Sequence, residues 1–218
     1  MYPIRYEADY VEEQGRWRTF FRLILAIPWY ILGSIYVTAA FIVSFMAWFA
    51  LMFTGRWPEG LYNFNVGVLR FLARANAFFY LQTQEYPPFA FEEAPEYPIR
   101  LEADPPLESY NRWKVFFRLI IGIPVFFMVY LFSSLVQLVS VIAWFHIVFT
   151  NRTAAGTHNA LTYSLAYYLR ATAYFLLVTE TFPPISDQAP AANLKPARAT
   201  KTPAKPRAKS GSTRKKSS

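Results

Sequence analysis

The chain has 218 residues, 54% hydrophobic and 19% aromatic, with only 17% charged and a net charge of +8. That balance is too apolar for an ordinary water-soluble domain of this length. The absence of cysteine excludes disulfides, thiolate metal sites and cysteine nucleophiles.

The charge is unevenly distributed. From Met1 to Asp187 there are 13 Lys/Arg and 14 Asp/Glu, whereas Gln188 to Ser218 carries nine basic residues and no acidic one. Between Arg22 and Arg56, and again between Arg118 and Arg152, 33 residues pass without a charge. As helix each run would be about 50 Å long at ~1.5 Å per residue, against a hydrocarbon core of roughly 30 Å. The first 22 residues carry eight charges, so they do not read as a cleavable signal peptide; the first apolar run is expected to serve as its own insertion signal.

In chain order, residues 2–9 alternate as a strand, with Tyr2, Ile4 and Tyr6 on one side and Arg5 and Glu7 on the other. Trp17, Phe20, Phe21 and Ile24 then fall at helical spacing opposite Arg18 and Arg22, an amphipathic approach to the apolar run. Trp17, Arg18 and Arg22 are predicted interfacial anchors. Pro28 is expected to kink the chain into a first span from Trp29 to Phe53, which ends in the turn chemistry of Thr54 to Gly60. A second helix follows, Leu61 to Gln84, long enough to span yet carrying Arg70 and Arg74. Asn63, Gly67, Arg70, Arg74 and Ala77 share one face of it. Beyond Pro87-Pro88, Phe89 to Phe91 is a candidate strand to pair with residues 2–9.

The whole pattern then repeats at an offset of 95 to 96 residues. YPIRYEAD returns as YPIRLEAD from Tyr97, and RWRTFFRLILAIP as RWKVFFRLIIGIP from Arg112. Trp113, Lys114 and Arg118 are the second set of anchors, Val125 to Phe149 the second long span, and Leu161 to Phe182 the helix that carries Arg170, with Asn159 just ahead of it. The expected fold is an all-α integral membrane protein. It is built of two tandem transmembrane hairpins with four spans in all, small β elements at the repeat starts, and a disordered basic tail. The units are residues 1–92 and 93–187, and the tail is 188–218. Four spans put the basic clusters and both termini on the cytoplasmic side; one span per repeat, with interfacial second helices, is the other topology that fits.

Candidate chemistry is sparse. Arg74 and Arg170, with Arg70, Asn63 and Asn159 on the same stripe, are ligand or lipid candidates, because an arginine near mid-membrane costs about 2.5–3.5 kcal/mol. The two histidines, His146 and His158, fall at positions held by Ala50 and Tyr62 in the first copy. No nucleophile elbow, phosphate loop or zinc spacing is present, so neither enzyme activity, nor a metal, nor a cofactor is expected. The leading expectation is a scaffold or accessory subunit that organises lipids or a membrane complex, its partners being anionic membrane lipids and further copies or subunits. The alternatives are a lipid or small-solute transport element built on the Arg/Asn stripe, and a tether that binds nucleic acid or anionic lipid through the tail.

The run from Phe53 to Phe89 resembles the signature of a bacterial membrane family known only as a domain of unknown function, number 4389. The resemblance rests on Phe53-Thr54-Gly55-Arg56 with Pro58 and Gly60, on Arg70 and Arg74, and on Tyr86-Pro87-Pro88-Phe89. It extends over residues 2–185 as two copies; the second has Asn151, Ala154 and Ala166 where the first has Gly55, Pro58 and Arg70. It implies location in a bacterial cytoplasmic membrane and carries no activity with it.

Overall fold

The computed structural model describes residues 2–185, and the predicted disordered tail lies outside them. Each repeat opens with the expected strand, β1 (Ile4–Ala8) and β2 (Ile99–Ala103). Ile4, Tyr6, Ile99 and Leu101 are buried, while Glu7 and Glu102 point outward. The two strands pair with each other, antiparallel, with Tyr6 opposite Leu101 at the centre. Those residues are equivalent in the two repeats, so an approximate two-fold axis passes through the sheet. The pairing expected for Phe89–Phe91 does not form. These aromatics fill space beside the first long helix: Phe89 stacks on Trp29 with ring centroids 5.0 Å apart, and Phe91 meets Tyr36 edge-on at 4.6 Å.

Helices α1 (Arg16–Phe20) and α2 (Arg22–Thr54) follow β1. Pro28 sits inside α2 without ending it. The helix closes on Gly55 at φ 71°, whose N–H reaches Leu51 O. Next comes α3 (Glu59–Phe79). The second repeat gives α4 (Arg112–Phe116), α5 (Arg118–Ile121), α6 (Ile123–Thr150) and α7 (Ala155–Phe175). A break at Gly122 puts Pro124 in the first turn of α6, where its missing N–H is not needed. Asn151 caps α6 at φ 62°; asparagine is the residue besides glycine that best tolerates this conformation.

Helices α3 and α7 begin earlier than predicted and stop sooner. Each ends in a Schellman turn with a leucine in the left-handed position, Leu81 at φ 67° and Leu177 at φ 65°. Gln82 N–H bonds Ala77 O and Val178 N–H bonds Ala173 O. Leucine is unfavourable in this conformation by roughly 1–2 kcal/mol, and burial of both side chains offsets it.

The elements form three layers. Helices α3 and α7 pack against each other in the middle, with α2 and α6 on one side and the sheet on the other. Trp144 Nε1 donates to Thr19 O beside the start of α2, and Trp48 Nε1 to Val115 O beside the start of α6, so the two long helices run antiparallel. Among the described residues two helices, not four, are long and apolar enough to cross a membrane, α2 and α6. Only 22% and 17% of their most apolar windows is buried, unlike the core helices of a soluble protein, and this points to association with a membrane. Helices α3 and α7, expected as the other two spans, are largely buried between the outer layers.

Candidate functional site

The predicted arginine stripe is tied down at both ends of its reach. Arg74, 3% exposed, donates from Nη1 to Ala90 O at 3.0 Å and from Nη2 to Glu92 O. Arg70 bonds Leu101 O at 3.3 Å and pairs with Glu93 at 2.5 Å. Arg170 bonds Ile4 O at 3.3 Å and lies over the Tyr2 ring at 5.4 Å. These arginines fasten the middle layer to the strands and to the segment leading into β2. Asn63 and Asn159 are exposed and do not join them. The extended segment at residues 90–93 and the strands occupy the polar side of the stripe.

The expected interfacial anchors divide. Trp17 and Trp113 are 74% and 73% exposed, and Arg18 and Lys114 are exposed with them. Arg22 and Arg118, at 2% and 4%, are buried instead. Arg22 Nη1 bonds Phe78 O at 2.9 Å with its guanidinium 5.0 Å from the Phe78 ring. Arg118 bonds Thr179 O and sits 4.2 Å from the Tyr174 ring, the counterpart of Phe78. The shared arginine thus clamps the start of each long helix to the end of the shorter one behind it.

Several buried polar residues escaped the sequence reading. Asn65 donates to Ser44 Oγ at 2.9 Å and Leu176 O at 3.2 Å. The Tyr6 hydroxyl donates to Gln82 Oε1, whose Nε2 donates to Thr162 Oγ1 at 2.7 Å. These bonds tie the layers together, and single polar residues inside apolar runs gave no periodic signal for them. His158, also buried, approaches Ala8 O at 3.3 Å beneath the Tyr10 ring. Burial holds its pKa below the usual histidine value, against the opposing pull of Ala8 O and Asp9. His146 is exposed and contacts Arg152 O at 2.8 Å.

The two outer faces are chemically opposed. Across the sheet, Arg5 pairs with Glu102 at 3.1 Å and Asp104 at 2.8 Å, and Arg100 with Glu7 at 3.3 Å and Asp9 at 2.8 Å. On the other side the exposed residues of α2 and α6 are predominantly large apolar ones, among them Ile31, Ile35, Phe45, Phe127, Leu138 and Phe145. Tyr36, near the middle of α2, meets Phe71 at 5.1 Å, and the adjacent Arg70 reaches Leu101 at the sheet centre. The ion pairs therefore stand level with the middle of the long helices. Among the described residues no cluster of His, Cys, Asp or Glu is placed to hold a metal ion.

The model of the family described as Domain of unknown function (DUF4389) matches residues 16–90 and 112–186. The chain belongs to this family, as two tandem copies. The matched regions take in the clamp arginines, both long helices and both middle-layer helices; β1 and β2 lie outside them. No curated protein and no solved structure matches the chain.

Proposed function

We propose that this protein is a non-enzymatic, membrane-embedded scaffold that organises lipids in one leaflet. In this reading α2 and α6 lie along the membrane with their exposed side chains in the acyl region, and the ion-paired sheet faces water. The observation that carries it is the level of the charges. If α2 and α6 stood upright in lipid, Arg5, Arg100 and their carboxylates would sit at mid-bilayer, where each charge costs about 2.5–3.5 kcal/mol on insertion scales. At 33 and 28 residues the helices are also about 50 and 42 Å long, well beyond a ~30 Å core.

Lying flat, the molecule keeps Tyr2 and the end of the second repeat on one aqueous side, since the Tyr2 hydroxyl bonds Thr181 O. A basic tail leaving from that side would meet anionic headgroups, worth roughly 1 kcal/mol per basic residue near the surface. This suits the cytoplasmic face of an inner membrane. Four spans have no place in the proposal, and neither does a transport path along the Arg/Asn stripe.

The test uses nitroxide labels at Ile35, Leu138, Glu7 and Glu102, made on a cysteine-free background in vesicles. The first two are expected to relax with oxygen and ignore an aqueous nickel chelate, and the last two to do the reverse. Polymer discs cut from the same vesicles are expected to hold anionic lipid above the bulk fraction. Sheet labels shielded from nickel, or discs of bulk composition, would overturn the reading.

A further inference from the structure

Between the long helices, on the apolar side, lie two grooves related by the two-fold axis. One, of about 390 Å³, is lined by Thr19, Arg22, Leu23, Leu81, Ser140 and Trp144, among others. The other, of about 560 Å³, is lined by their counterparts Val115, Arg118, Leu119, Leu177, Ser44 and Trp48. Both volumes fall in or near the range of small-ligand pockets, roughly 300–1,000 Å³. Each wall is mainly apolar, with one buried arginine and a few hydroxyls, and the Arg22 groove also carries the Gln137 amide.

Those polar groups are incompletely satisfied. Arg22 uses Nη1 on Phe78 O, while its Nε and Nη2 find no partner among the described residues. Nε and Nη2 form one edge of the guanidinium, the edge that matches the two oxygens of a carboxylate. Thr19 Oγ1 and Ser140 Oγ line the same groove and are also buried without a partner. Ser140 is left so because Leu161 stands where Asn65 serves Ser44 in the first repeat. In the second groove Arg118 gives Nη2 to Thr179 O and has Tyr174 beside it, so its Nε and Nη1 do not share a free edge and an anion there meets single N–H groups; Ser44 is satisfied and Val115 replaces Thr19.

We propose that the two grooves bind long-chain fatty acids, the acyl chain lying along the apolar wall and the carboxylate meeting Arg22 or Arg118. A buried arginine with an open planar edge calls for an anion. With Arg22 only 2% exposed, the groove wall must give slightly for even a small planar head to reach its free edge, and a bulky phospholipid headgroup is excluded. The Arg22 groove, with two additional hydroxyls, is the tighter site for the anion; the Arg118 groove is the larger of the two. The proposal rests on the membrane reading for the supply of ligand, but binding is measured on solubilised full-length protein, so the two readings fail separately.

The probe is cis-parinaric acid, a fluorescent fatty acid that accepts energy from tryptophan, titrated into the protein in a non-ionic detergent. Saturation at two probes per chain is expected, with Trp144→Phe lowering transfer mainly to one and Trp48→Phe mainly to the other. The methyl ester should bind at least tenfold more weakly. Ser140→Ala, which breaks no bond within the protein, should weaken only the site next to Trp144, several-fold. Arg22→Lys should weaken it further while leaving the Trp48 site intact. Equal binding of acid and ester, or insensitivity to both variants, would overturn the proposal. So would displacement of the probe by phosphatidylglycerol or inorganic phosphate but not by oleate, which would assign the grooves to a phosphate head.

Discussion

The long-helix layer and the sheet layer flank the same middle helices at the same level, and they present opposite chemistry. Along α2 and α6 the exposed positions repeat Ile, Leu and Phe; across β1 and β2 they are Arg and Glu joined in cross-strand pairs. Hydropathy read along the sequence finds the long helices and says nothing of what stands beside them. In the proposed reading, the orientation of the protein is set across its layers, by charges far away in the chain.

Unfastening the layers should have the largest effect. Arg74→Ala removes two hydrogen bonds from a buried guanidinium to backbone carbonyls, worth about 1.5–3 kcal/mol each, and should lower stability by about 3 kcal/mol or more in detergent denaturation. Arg70→Ala, whose partner Glu93 is exposed, should cost about 1 kcal/mol. Equal effects would show that burial of the clamp does not matter.

Wedging the middle layer away from the segment that leads to the sheet comes next. A Cβ on Gly67 would stand 2.7 Å from Phe91 Cβ. Gly67→Ala should therefore cost about 1–3 kcal/mol and lower the melting temperature, even though alanine favours helix.

The exposed ion pairs act more weakly. Arg100→Gln should cost only about 0.2–1 kcal/mol, and less at high salt. The smallest effect is a pH dependence. His158 has a folded pKa below the ordinary ~6.5, so the unfolded chain binds its proton first as pH falls. Stability should be full above that value and decline as pH drops through about 6.5 toward the folded pKa; His158→Gln should flatten this part of the profile.

Much of the architecture is legible in the sequence. The duplicated YPIR segments alternate with period two and form the strands, and the charge-free runs become α2 and α6. Thr54-Gly55 and Thr150-Asn151 mark the helix ends where the left-handed caps form. What was not legible depends on third elements. Arg22 and Arg118 look like snorkelling anchors because α3 and α7, which cover them, are far away in sequence. Arg74 looks unpaired because its acceptors are backbone carbonyls of residues 90 and 92, which no side-chain pattern announces. Leu81 and Leu177 look like helix interior, since nothing in a leucine signals a left-handed turn. The grooves stay hidden for the same reason: Ser140 is one of a few polar residues scattered through an apolar run until the fold places it beside Arg22 and Thr19.

The central claim is that α2 lies along the membrane rather than through it, and the most direct test labels its two ends. Arg18→Cys and Arg56→Cys, both exposed and flanking the helix, are made separately in the cysteine-free chain and treated with a membrane-impermeant maleimide in sealed vesicles of known orientation. A flat α2 predicts that both react from the same side. Reaction from opposite sides would mean that α2 crosses the bilayer, and the one-leaflet scaffold would be contradicted.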